Sequence, residues 1–143
     1  MDEDRLELSS KEKETFHKII LDILNGLNLC MYQLDEVGRV GIRSVFLGPV
    51  GSRRKETFNR AVLLLETVKQ NIKKLNEFSQ KHPFSEIFNT DDEIINLLNN
   101  LFRIDFYSFI EPLRRNKSAR TIGLRIKTIY NDVKVVYDHI KPK

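Results

Sequence analysis

Phe58-Asn59-Arg60-Ala61-Val62-Leu63-Leu64-Leu65-Glu66-Thr67-Val68-Lys69-Gln70-Asn71-Ile72-Lys73-Lys74-Leu75-Asn76-Glu77-Phe78 is the stretch that decides the fold class. Phe58, Ala61, Leu65, Val68, Ile72 and Leu75 follow one another at alternating steps of three and four, and Phe78 continues the same face. That spacing is a helical heptad seam, incompatible with the two-residue period of a strand. The helix starts near Ser52 and must stop by His82, because Pro83 follows.

The same period recurs on both sides of this segment. Upstream, Phe16, Ile19, Ile20, Ile23, Leu24, Leu27, Met31 and Leu34 form one apolar stripe. Ser9-Ser10-Lys11-Glu12 supplies a Ser-x-x-Glu capping box at its start. A first helix is therefore expected over 10–36. Downstream, Thr90-Asp91-Asp92-Glu93 forms a second capping box ahead of Ile94, Leu97, Leu98, Leu101, Phe102, Phe106, Phe109 and Ile110. These read as one third helix that Pro112 kinks or ends. After a polar loop over 114–118, Ile122, Ile126, Ile129, Val133, Val136, Tyr137 and Ile140 define a fourth helix. Residues 37–50 break the pattern with Gly38, Gly41, Gly48 and Pro49, yet carry many apolar side chains. They read as a helical extension or a short extra helix.

The expected fold is thus all-α: an antiparallel up-down-up-down four-helix bundle over 10–143, preceded by an acidic tail over 1–9. Leu65, Val68, Ile72, Leu98, Phe102, Ile126, Ile129 and Val133 should share one core. A chain of 143 residues is one domain's worth, and a domain of that size buries roughly 68–70% of its unfolded surface without staples. Cys30 is the single cysteine, which excludes an internal disulfide framework. The acidic start is unlike a secretory signal, and no apolar run reaches the ~18 residues of a membrane span. The expected location is the cytoplasm, with peripheral contact to membrane.

Side chains capable of chemistry do not assemble into a known constellation. Glu14 and His17 have the Glu-x-x-His spacing of half a di-iron site, but no second copy exists and Phe16 takes the core face between them. They read as a solvated helix face. No arginine precedes His17, His82 or His139 with four to six residues between, the Arg-x4–6-His spacing of one class of helical nuclease. Gly48-Pro49-Val50-Gly51-Ser52 lacks the Gly-Lys-Ser/Thr of a phosphate-binding loop. Cys30 has no basic neighbour that would favour a thiolate and reads as a core residue. Asp105, at the edge of its stripe, reads as reaching water; the alternative is a buried carboxylate paired with an arginine. Neither catalysis, a cofactor nor a bound metal is expected.

Charge placement is more informative. Residues 1–36 carry 4 basic and 9 acidic groups, 37–90 carry 10 and 4, 91–112 carry 1 and 5, and 113–143 carry 9 and 2. Acidic and basic helices alternate along the chain. In an up-down-up-down bundle the first and third connections lie at one end. The first brings Arg39, Arg43, Arg53, Arg54 and Lys55, and the second Arg114, Arg115, Lys117 and Arg120. Arg53 and Arg54 also sit at a helix N-terminus, where free amides attract anions. Arginine dominates the set and forks onto phosphate better than lysine does. An anion-binding end follows. Its expected ligand is acidic phospholipid; the alternatives are nucleic acid on the same cations, and a protein-interaction scaffold with incidental charge. Few aromatic side chains lie off the core stripes to stack on single strands.

One further pattern bears on function. Lys74-Leu75-Asn76-Glu77-Phe78-Ser79 followed by Phe84 and Phe88, then Leu97-Leu98-Asn99-Asn100-Leu101-Phe102, with Cys30, Leu34 and Gly38-Arg39-Val40 upstream, resembles the HeLo-type bundles, including the N-terminal domain of mixed lineage kinase domain-like proteins. The resemblance implies a signalling domain that oligomerises, binds acidic phospholipid through basic patches and is joined to a kinase-like or nucleotide-binding domain.

Overall fold

A computed structural model describes residues 9–47, 51–88 and 92–140, with side chains at 9–37, 54–88 and 92–140. All its regular structure is helical: α1 (Ser10–Leu47), α2 (Gly51–Lys81), α3 (Phe84–Ile87), α4 (Asp92–Phe102), α5 (Tyr107–Arg114) and α6 (Ala119–Ile140). The first capping box forms as its sequence requires. The Ser9 amide donates to Glu12 Oε1 at 2.9 Å and the Glu12 amide donates to Ser9 Oγ at 3.1 Å. Thr90 and Asp91 of the second box lie outside the described residues.

Of the two readings of 37–50, the extension is the one found as far as the described residues reach: α1 continues unbroken to Leu47. The single third helix expected over 94–110 is corrected to two. The chain leaves α-helical bonding after Phe102, where the Arg103 and Ile104 amides donate three residues back, to Asn100 and Leu101. Asp105 then captures the next turn. Its Oδ1 accepts the Tyr107 amide at 3.1 Å and its carbonyl accepts Ser108 Oγ at 2.6 Å. A short polar side chain offering itself to nearby backbone competes with the helical ladder, and here it starts a new helix. Pro112 lies inside α5 and does not end it. The end comes two residues later at Arg114, and beyond it Asn116 adopts φ 59°. The Asn116 amide donates to Leu113 O and the Lys117 amide to Pro112 O, both at 2.9 Å. This is the Schellman arrangement, with asparagine at the left-handed position.

Packing follows the stripes. Phe16 stacks on Phe78 with ring centroids 5.3 Å apart, and Cys30 Sγ donates to Ala61 O at 3.8 Å. Numbers rise along α1 as they fall along α2, so the two run in opposite directions. Between these contacts Gly26 faces Val68 across a gap that admits no Cβ. α6 lies on α1 in the same opposed sense, from Leu34 beside Gly123 to His17 beside Tyr137, ring centroids 5.2 Å apart. α5 meets α2 where Arg114 bridges Glu66 at 2.8 Å. The expected core residues are all buried except Phe102, which packs half-buried against the others. One end of the assembly is aromatic: Phe84 stacks on Phe102 at 5.9 Å, and Phe84 and Phe88 flank Phe16. Among the described residues no helix is long and apolar enough to cross a membrane.

Candidate anion-binding site

Far from the aromatic end, a groove of about 640 Å³ opens where α1, the start of α2 and the start of α6 meet. Its floor is apolar: Met31, Leu34 and Val37 come from α1, and Gly123 and Leu124 from α6. Leu34 and Val37 belong to the core proper, whereas Leu124 is 61% exposed although it is large and apolar. The rim is cationic, with Arg54 from α2 and Arg120 and Lys127 from α6; among the described residues Asp35 is the one carboxylate along it. The first turn of α6 also lines the groove, which adds the positive end of a helix dipole.

Local sequence explains each placement. Arg54 stands one turn before Phe58, whose ring is fully buried, and its guanidinium lies 5.4 Å from that ring's centroid. Such a cation–π contact holds the head near the core edge. Arg120, Leu124 and Lys127 lie four and three residues apart on α6, so they share a face. The Schellman turn at Asn116 and the left-handed Ser118 (φ 64°) set where that face begins.

The cations singled out from the sequence do not all meet here. Arg54 and Arg120 line the groove. Lys55 and Lys117 are exposed near it in sequence but do not line it. Arg114 is held by Glu66, twelve residues along α2 from Arg54 and thus about 18 Å along the helix axis. Arg115 lies 3.8 Å from Glu111 on its own helix. The side chains of Arg39, Arg43 and Arg53 lie outside the described residues. Lys127 was missed in the sequence. Its seven-residue spacing from Arg120 was the available signal, obscured because it sits mid-helix and the count of cations followed the connections.

The other candidate groups sit elsewhere. Glu14 is exposed and His17 half-buried against Tyr137; His17 Nε2 is buried with no hydrogen-bond partner among the described residues. No group of three or more metal-ligating side chains lies together among the described residues. Asp105 is exposed and spends its carboxylate on backbone, as an edge residue would. Cys30 is fully buried, and burial pushes its thiol up to about 12. At the opposite end the amide of Ser9 holds the Glu12 carboxyl below its usual value, helped by Ser9 Oγ and by His82, whose Nε2 is 3.2 Å away.

No family model matches the chain, and neither a curated protein nor a solved structure matches it.

Proposed function

We propose that the chain is a non-enzymatic helical module whose basic end binds phosphate-bearing ligands, with acidic phospholipid at a membrane surface as the physiological one. The observation that carries this reading is the groove at the start of α6, which among the described residues is lined by three cations, one carboxylate and a set of apolar side chains. Phosphate on an amphipathic molecule matches both halves of that surface; nucleic acid would leave the apolar floor unused. On this reading the helices form an up-down-up-down four-helix bundle in which α4 and α5 together make the third leg. The opposed runs of α1 with α2 and of α1 with α6 support it. Such an arrangement is also the HeLo-type architecture the sequence resembles, and a cytoplasmic, membrane-peripheral signalling role follows from it.

Co-sedimentation with vesicles tests the reading. The wild type should pellet with phosphatidylserine-containing vesicles and not with pure phosphatidylcholine. Arg54→Glu/Arg120→Glu/Lys127→Glu should stay in the supernatant with its helical circular dichroism unchanged. Equal pelleting with both vesicle types refutes the lipid reading. Tight binding to RNA or DNA that falls steeply with salt would transfer the same cations to the nucleic-acid reading.

A second reading, a protein-interaction scaffold, is favoured by Leu29, Tyr32 and Leu63, each more than half exposed on α1 and α2.

A further inference from the structure

Apolar and cationic side chains line the same groove. Met31 and Leu124 lie among the rim cations Arg54, Arg120 and Lys127, and the apolar floor continues down to the buried Leu34 and Val37. A volume of about 640 Å³ sits within the ~300–1,000 Å³ typical of small-molecule sites. Sites of that kind are mostly apolar, with a few polar groups fixing orientation. An exposed leucine such as Leu124 costs little by itself. Lining one groove with Met31 and the cations, it gives an alkyl chain somewhere to lie while its anionic head meets arginine.

From this juxtaposition we infer that the groove binds one molecule of a single-chain anionic amphiphile, its phosphate or carboxylate head on Arg54, Arg120 and Lys127 and its alkyl chain along Met31, Leu34 and Leu124. The inference rests on the basic-end reading above and goes further. It assigns a monomeric ligand taken out of water, and the same chemistry would let the groove take the head and upper chain of one lipid at a bilayer. The complementarity is in the charge, three cations to one carboxylate, and in the continuous apolar floor. Neutral amphiphiles and short-chain phosphates each satisfy only half of it. The exposed position of Leu124 also makes a clean variant available, because a polar residue there removes chain contact without opening the core.

The test is titration calorimetry with the full chain, using monoalkyl phosphates below their micelle concentrations. Dodecyl phosphate should bind at least about tenfold more tightly than butyl phosphate, since chain length contributes only if the chain is seated. Dodecyl maltoside, with the same chain and no charge, should not bind measurably. Leu124→Gln should erase most of the chain-length difference by lowering dodecyl phosphate affinity toward that of butyl phosphate. Arg120→Gln should weaken both phosphates together. Equal affinity for butyl and dodecyl phosphate, with vesicle binding intact, would overturn the amphiphile inference and leave the basic-end reading standing. Absence of binding to both phosphates and to acidic vesicles would overturn both. In either case, far-UV circular dichroism of each variant must match wild type, and chemical-shift changes confined to residues 31–37 and 119–127 on adding dodecyl phosphate provide a second readout that loss of fold would not produce.

Discussion

Two glycines on helices of this protein should respond to the same substitution with opposite signs. Alanine is favoured over glycine in a helix interior by about 0.8–1 kcal/mol, so each Gly→Ala change begins with that gain. At Gly123 the new Cβ would stand 3.7 Å from Leu34 Cβ, an ordinary contact, and the gain survives. At Gly26 it would stand 2.6 Å from Val68 Cγ2, well inside the ~3.5–4.0 Å of a favourable carbon–carbon contact. Val68 is fully buried, and a β-branched side chain in a helix has essentially one rotamer, so it cannot swing aside. α1 and α2 must separate locally, and overpacking of this kind costs roughly 1–3 kcal/mol. Gly26→Ala should therefore lose about 0.5–2 kcal/mol net, while Gly123→Ala gains up to about 1 kcal/mol. Urea unfolding followed by helical circular dichroism, with linear extrapolation, measures both. Val68→Ala removes the clashing methyl, so Gly26→Ala/Val68→Ala should be more stable than the sum of the single changes by about 1 kcal/mol or more. A Gly26→Ala protein as stable as wild type, or a double variant that is merely additive, would refute the claim that Gly26 is there for close approach of α1 and α2.

Leu98→Ala should cost roughly 2–5 kcal/mol, because Leu98 is fully buried and leaves a cavity; thermal unfolding reads it. Asp105→Ala should cost about 0.5–2 kcal/mol through loss of the bond to the Tyr107 amide, with hydrogen exchange at Tyr107 rising before that of α6. Glu12, whose carboxyl is held below 4.5 by the Ser9 amide, stabilises the fold fully above that pH and loses its contribution as pH falls through its lowered value. Glu12→Gln keeps the capping geometry without the charge, so the difference in urea midpoint between the two proteins should shrink as pH is lowered past 4.5.

The helices were legible because burial imposes a period, and Leu65, Val68, Ile126 and Val133 repeat at that period however the chain is connected. The break at Arg103–Phe106 was not. Leu101, Phe102, Phe106 and Phe109 stay in phase across it, and the deciding event is a single side chain, Asp105, bonding to backbone two residues on. Hydrophobic spacing does not register such a local contest. α1 shows a choice that spacing left open: Gly38 and Gly41 weaken a helix without forbidding it, and of the extension and the extra helix it is the extension that carries α1 on to Leu47. Part of the candidate site was visible, since Arg54 and Arg120 stand in or beside connections. Arg114 looked equivalent until its partner was known. Glu66 lies in the decisive heptad segment itself, and only the pairing of α5 with α2 brings the two together. The apolar half of the groove was invisible for a related reason: Met31 belongs to the α1 stripe while Leu124 falls off the α6 stripe, and only the packing of α6 on α1 brings the two into one groove.

Cys30 gives this protein an internal clock. It is the one thiol of the chain, fully enclosed between α1 and α2. With its thiol pushed up to about 12, scarcely any thiolate exists at neutral pH while the helices are closed. An alkylating reagent can therefore react only with molecules in which α1 and α2 have parted, where the ordinary thiol acidity returns. The labelling rate, divided by that of a free cysteine peptide, becomes a direct measure of how often the two longest helices separate. Under native conditions it reports sub-global opening as well as complete unfolding, and no probe need be engineered. Whatever binds in the groove that begins at the neighbouring Met31 would be felt as a slowing of that clock.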